Sequence, residues 1–227
     1  MNTDDHDHTH THGDTHEDGH THAHGDDDLL AEVFEGGPPD DFEILEIAIR
    51  ELLFDKGVIT PDELRAKITE WDAKSPENGA RLVARAWVDA DFKARLKEDF
   101  YSAAGELDID TAGPMIVAVE NTDDVHNVFV CTLCSCYPRA VLGIPPEWYK
   151  SKEYRSRVVV DPRGVLREFG TELPASVDVR VIDNTAESRY FVIPKRPPGS
   201  EGMSETDLAK LVTRDSIIGV GVPDLPS

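Results

Sequence analysis

The stretch Val128-Phe129-Val130-Cys131-Thr132-Leu133-Cys134-Ser135-Cys136-Tyr137-Pro138 decides how this chain is read. Its first three residues continue a run of β-branched and apolar residues that predicts a strand. The next six hold all three cysteines of the 227-residue chain. A Cys-x-x-Cys-x-Cys cluster with no distant partner does not make a disulfide framework. Structural zinc usually takes four ligands from two separated pairs, and an iron–sulfur cluster needs a fourth cysteine. A dithiol redox motif leaves the third sulfur without a role. What fits is a compact claw for a transition metal, in which three thiolates draw further donors from the backbone between them. The amides of Ser135 and Cys136 lie nearest for that task. His126, the one histidine outside the N-terminal tail, shares a strand face with Val128 and Val130, so it reads as a packed strand residue rather than a ligand.

Upstream of the claw, Met115-Ile116-Val117-Ala118-Val119 predicts a second strand. Further strands are expected at 156–160, 177–182, 190–193 and 217–222, with short helices at 163–169 and 206–212. Residues 40–100 read as helices. Asp40-Asp41 caps a segment with Phe42, Leu45, Ala48, Ile49 and Leu52 on one stripe, which Gly57 ends. Thr60-Pro61-Asp62-Glu63 is a helix start, followed by Leu64, Ile68 and Trp71 at helical spacing. Two more helices are expected at 79–88 and 91–103. The narrow apolar faces of this region predict an extended arm laid against a partner. The fold class is α+β: a helical arm over 40–105, then a layered α/β sandwich over 112–223 that carries the claw.

Residues 1–28 differ from all of this. They contain His6, His8, His10, His12, His16, His20, His22 and His24 among Asp and Thr, and no Lys or Arg. With no hydrophobic stripe, the segment cannot offset the entropy of ordering and is predicted to be a disordered tail. Imidazoles two and four apart suit capture of cobalt, nickel or zinc for the claw. The net charge of −22 excludes nucleic acid and anionic membranes as partners. No apolar run reaches the ~20 residues of a membrane span, and no signal-peptide pattern is present, so a cytoplasmic location is expected.

The claw resembles that of the nitrile hydratase alpha subunit and the related thiocyanate hydrolase gamma subunit. So do Arg81-Leu82-Val83-Ala84-Arg85-Ala86-Trp87, Pro146-Glu147-Trp148-Tyr149, Tyr154-Arg155-Ser156-Arg157-Val158-Val159, Arg189-Tyr190-Phe191-Val192-Ile193-Pro194 and Leu211-Val212-Thr213-Arg214-Asp215. The resemblance implies that Cys131 is the axial thiolate. It implies that Cys134 and Cys136 bind equatorially with the amides of Ser135 and Cys136. It also implies that Cys134 is a sulfinic and Cys136 a sulfenic acid, protected by arginines of a partner subunit. Thr132 and Tyr137 match the cobalt-type motif, so one low-spin Co(III) per chain is implied, with Fe(III) as the alternative ion. A cobalt-insertion activator protein is implied as well. The implied reaction is hydration of a nitrile to its amide: the metal is the Lewis acid, and oxidised Cys136 is nucleophile or base.

Four positions depart from the pattern. Arg139 replaces a tryptophan that lines the family's substrate pocket. Ala112 stands where some members have glutamine, and Lys195 and Met203 where many have glutamine and tryptophan. A cation near the metal favours an anionic or polar substrate, which makes Arg139 a candidate substrate-binding residue. Arg139 and the His-rich start resemble the thiocyanate hydrolase branch, as does Asp41-Phe42-Glu43-Ile44-Leu45-Glu46. Ile116-Val117-Ala118-Val119-Glu120-Asn121-Thr122 resembles nitrile hydratase. The expected function is therefore the metal-carrying subunit of a cobalt nitrile hydratase-type enzyme. Thiocyanate hydrolysis to carbonyl sulfide and ammonia is the alternative, and a cobalt carrier the alternative of another class.

Overall fold

The computed structural model describes residues 40–225. The eight tail histidines lie outside the described residues. The chain separates into two units, one ending at Thr60 and one starting at Pro61.

In the first unit, α1 (Asp41–Asp55) begins as its sequence dictates. Asp40 Oδ1 accepts from the amides of Phe42 and Glu43, each at 2.9 Å. The Glu43 carboxylate accepts from the Asp40 amide at 2.7 Å, completing a capping box. After the helix, Gly57 takes a left-handed φ of +62°. The stripe of Phe42, Leu45, Ile49 and Leu52 is exposed, with Phe42 at 81%.

The second unit opens with α2 (Pro61–Asp72) and α3 (Pro76–Val88), followed by α4 (Ala90–Glu98) and α5 (Phe100–Gly105). Strands β1 (Met115–Glu120) and β2 (Val125–Val130) come next. Four short helices follow: α6 (Arg139–Leu142), α7 (Glu147–Lys150), α8 (Lys152–Val160) and α9 (Pro162–Glu168). Strands β3 (Asp178–Asp183) and β4 (Ser188–Ile193) precede α10 (Glu205–Leu211) and α11 (Arg214–Ile218). β1 pairs with β4 and β2 with β3, both in parallel. A parallel pair cannot close through a tight turn, so the four short helices serve as the crossover from β2 to β3. β2 is buried from His126 to Val130 on both faces, which accounts for its near-continuous apolar run. The architecture is α+β.

Three expectations need correction. Residues 156–160 form the end of α8, not a strand. Ser151 Oγ caps this helix by accepting from the Tyr154 amide at 3.1 Å. Burial then falls on Tyr154 and Val158, one helical turn apart, while Val159 and Val160 are exposed. Tertiary packing at i and i+4 overrides the β-branched run. Residues 217–222 likewise enclose the end of α11, which Thr213 and Ser216 cap reciprocally and Gly219 terminates at φ +97°. The helix expected over 91–103 is broken at Asp99, whose carboxylate accepts from the Ser102 amide at 3.1 Å and starts α5.

Within the second unit, α3, α4 and α5 share a core with the strands. Leu82, Val83 and Ala86 of α3, Phe92 and Leu96 of α4 and Phe100 of α5 are buried in one cluster with Phe129, Phe191 and Ile217. Small residues in α3 concealed this. Ala80, Ala84 and Ala86 look weakly hydrophobic, yet they let the helix approach closely. Gly79 shows how close: an added Cβ would meet Ile217 Cδ1 at 2.8 Å and Val141 O at 2.9 Å.

His126 is buried in this core, where its Nε2–H donates to Gly219 O at 2.7 Å. Its Nδ1 accepts from Asn121 Nδ2 at 3.2 Å. Burial lowers its pKa, so it stays neutral at physiological pH. Gly219 has two reasons to be glycine: its positive φ, and the Asn127 carbonyl oxygen 2.1 Å from any added Cβ. Gly219→Ala should therefore lower the melting temperature of the chain by roughly 5–15 °C, as read by thermal circular dichroism. A shift under a degree would show that the α11–β2 approach is loosely held.

Candidate metal centre

The claw sits where the parallel pairing puts it. Val130 is in register with Asp183, so both strands present their carboxyl ends at one place. Loops leaving such ends are where open α/β layers build sites. The chain after β2 becomes Cys131–Cys136. The chain after β3 supplies Asp183 and Asn184 to hold it. The Asp183 carboxylate accepts from the Thr132 amide at 3.0 Å and from the Thr132 hydroxyl.

The three sulfurs converge within 4.8 Å of one another. Cys131 Sγ lies 3.5 Å from Cys134 Sγ, which lies 3.3 Å from Cys136 Sγ. Cys131 is buried, Cys136 half-buried and Cys134 exposed. The Cys134 amide donates to Cys131 Sγ at 3.3 Å. Donation by the thiols of Cys136 and Cys131 and by the Ser135 amide lowers the Cys134 pKa to about 7. Burial and the neighbouring thiols push Cys136 up to about 12. Cys134 thus ionises more readily than Cys136, and binding a cation must release the Cys136 proton. The donor set suits a thiophilic transition ion. The Ser135 and Cys136 amides also help to lower the Cys134 pKa, which puts these main-chain nitrogens near that sulfur.

Three side chains grip the loop from behind. Tyr149 Oη donates to Cys136 O at 2.7 Å, and Asn184 Nδ2 donates to the same oxygen at 3.1 Å. Asn184 Oδ1 accepts from the Tyr190 amide at 2.6 Å, which ties the loop to β4. Arg155 Nη1 donates to Cys134 O at 2.9 Å. Beneath them the rings of Phe129, Tyr137 and Tyr149 stack edge-on, with centroids 5.0–6.1 Å apart. Burial raises the phenol pKa of Tyr137 and Tyr149, which stay neutral.

A cleft of about 350 Å³ opens over Cys134, Ser135 and Cys136. Arg139 lines it, as do Lys74 and Arg189, and among the described residues no carboxylate does. Trp71 contacts two of these cations: Lys74 Nζ is 4.6 Å and the Arg139 guanidinium 5.9 Å from its ring centre. Ala112 also lines the cleft. Lys195 does not; it pairs with Asp123. Met203 packs against Ala84, Leu208 and Leu211 in a separate small cluster. The sequence reading did not single out Lys74, Arg189, Arg155, Asn184 or Asp183 as site residues. For Asn184 and Asp183 a signal existed: they end the strand that the claw strand must pair with.

Comparison with known proteins agrees with this geometry. The model of the family "Nitrile hydratase, alpha chain" matches residues 40–221. The low-molecular weight cobalt-containing nitrile hydratase subunit alpha of Rhodococcus rhodochrous is 50% identical over 182 residues, covering 79% of this chain and 88% of that protein. The thiocyanate hydrolase subunit gamma of Thiobacillus thioparus is 43% identical over 195 residues, covering 81% and 80%. Among solved structures, a recombinant thiocyanate hydrolase with partially modified cobalt centers superposes with a TM-score of 0.76 at 42% identity, covering 82% of this chain and 92% of that one. With three sulfurs converging beside a cleft and a match along most of its length, this chain belongs to the nitrile hydratase alpha-chain family.

Proposed function

We propose that this chain is the metal-carrying subunit of a cobalt nitrile hydratase-type enzyme that converts a nitrile to its amide. The observation that carries the reading is the convergence of three thiols at the wall of a cleft, in a chain of this family. Cys131, Cys134 and Cys136 hold the ion with the amides of Ser135 and Cys136. Bound there as low-spin Co(III), one per chain, the ion supplies a Lewis acid for a C≡N group. Cys136 acts as nucleophile, or as base toward water, through an oxygen carried on its sulfur. Tyr149 and Asn184 hold that residue in place by its carbonyl. Ser135 and Cys136 form the cleft floor, and Trp71 with Pro114 and Ile116 supplies apolar wall.

Partners follow from what the chain leaves open. The exposed stripe of α1 supports a docked partner subunit, which would supply arginines to the oxidised sulfurs. An activator protein would insert the cobalt. Among the described residues no helix is long and apolar enough to cross a membrane, and a cytoplasmic enzyme is proposed.

A second reading, thiocyanate hydrolysis, is favoured by one feature: among the described residues, three cations and no carboxylate line the cleft. Such a lining suits N≡C–S⁻ better than a neutral nitrile. The complex purified with its partner should convert aliphatic, aromatic or nucleoside nitriles to amides. Robust carbonyl sulfide from thiocyanate with no amide would overturn the first reading in favour of the second. No turnover of either, with cobalt bound, would leave a carrier.

Arg139→Trp should raise KM for thiocyanate about fivefold, the order expected for losing one solvent-exposed ion pair, while neutral nitriles change little. Equal effects on both substrate classes would retire Arg139 as a substrate contact.

We also propose that the eight tail histidines capture metal for the claw. Removing residues 1–28 should slow cobalt loading when the metal is scarce and leave turnover of loaded enzyme intact. A large loss of turnover in the loaded, shortened enzyme would assign the tail another role.

A further inference from the structure

The claw loop is held by its carbonyls, and one of those holds has a directional consequence. Arg155 donates from Nη1 to Cys134 O at 2.9 Å and from Nε to Ser151 O at 3.3 Å. The second bond fastens the guanidinium to the residue that caps its own helix. Ser151 is itself fixed, donating to Trp148 O at 2.8 Å and accepting from the Tyr154 amide. The guanidinium therefore comes from a rigid mount and is half-buried against the loop.

A trans peptide is planar, and its C=O and N–H point in opposite directions. The carbonyl of Cys134 and the nitrogen of Ser135 belong to one such peptide. Drawing Cys134 O toward Arg155 turns the Ser135 N–H the other way, onto the sulfurs. Little else fixes that peptide. It lies outside any helix or strand, Cys134 is exposed, and Ser135 is only half-buried. Loop peptides of this kind turn easily when their carbonyl is free.

We infer that Arg155 is a positioning residue of the claw: its guanidinium orients the Cys134–Ser135 peptide so that the Ser135 nitrogen faces the three sulfurs. This rests on the reading of the claw as a metal centre with main-chain donors. At the other end of the loop, Tyr149 and Asn184 fix Cys136 O, so the two holds bracket the segment that carries both amide nitrogens. An arginine that merely tied α8 to the loop would leave the donor set of the bound ion unchanged, and that difference can be measured.

The test uses the full chain produced with its partner subunit, with cobalt(II) salt as the probe. Cobalt uptake is timed, and X-ray absorption at the cobalt edge counts nitrogen and sulfur neighbours. In R155Q, uptake should slow about tenfold, the scale of one charge-assisted hydrogen bond. The nitrogen-to-sulfur ratio around cobalt should fall with it. R155K keeps the charge but lacks the fork that spans Cys134 O and Ser151 O, so it should fall between wild type and R155Q. Wild-type uptake and an unchanged ratio in R155Q would overturn the assignment. If R155Q does not fold, R155K decides in the same way, and wild-type values there would overturn it. Sulfur neighbours alone in the wild-type protein would instead overturn the main-chain donor reading, and this inference with it.

Discussion

The parallel register of β2 and β3 is the constraint on which the site depends. Because the strands run the same way, Val130 and Asp183 end together, and the chain leaves both at one edge. Everything that fixes the claw follows from that coincidence. Asp183 takes the Thr132 amide and hydroxyl, and Asn184 reaches the Cys136 carbonyl. An antiparallel pairing would place these groups at opposite ends of the sheet. The crossover that parallel pairing demands is also used, since α7 and α8 lie on it and carry Tyr149 and Arg155. A topological necessity thus supplies two of the three side chains that grip the loop.

The charge pattern runs against the composition. A chain of net charge −22 should repel anions, yet among the described residues its cleft is lined by Lys74, Arg139 and Arg189 and by no carboxylate. At physiological salt the screening length is about 8 Å, so distant surface carboxylates act weakly on a group inside the cleft. Arg139 and Arg189 set the field there, because Lys74 shares an ion pair with Glu70 at 3.7 Å. The Trp71 ring, within cation–π reach of both Lys74 and Arg139, offsets part of the cost of holding two cations near each other. The bulk acidity therefore speaks to solubility and excluded partners, and the cleft speaks to substrate.

Much of this was legible in the sequence. Capping residues located α1 and α2, and the claw needed only its spacing. What stayed hidden depended on tertiary contact. The β-branched end of α8 reads as a strand because local propensity cannot see that Tyr154 and Val158 face a core one turn apart. The depth of α3 was concealed by alanines, which look neutral alone and permit close approach when packed. Lys74 and Arg189 join Arg139 only because the loop after α2 and strand β4 meet the claw in space, and no spacing in the chain announces it. Lys195 shows the reverse. It stands where many family members have glutamine, but its ammonium is paired with Asp123 outside the cleft.

The need for such firm anchoring follows from the crowding of the sulfurs. Two thiolates 3.5 Å apart repel by up to about 5 kcal/mol at an effective dielectric of 20, and by less where Cys134 meets water. Three ionised sulfurs at these distances would drive an unsupported loop open. Burial first, and then the neighbouring thiols, raise Cys136, while hydrogen bonds from those thiols lower Cys134: the first charge is accommodated and the next is resisted. A multivalent cation removes that resistance, so the closed loop is a geometry prepared for an ion rather than one preferred by thiols. The scaffold must hold it before the ion arrives. It does so through neutral or cationic donors on carbonyl oxygens, from Arg155, Tyr149 and Asn184, which restrain the backbone and leave every sulfur free to face inward.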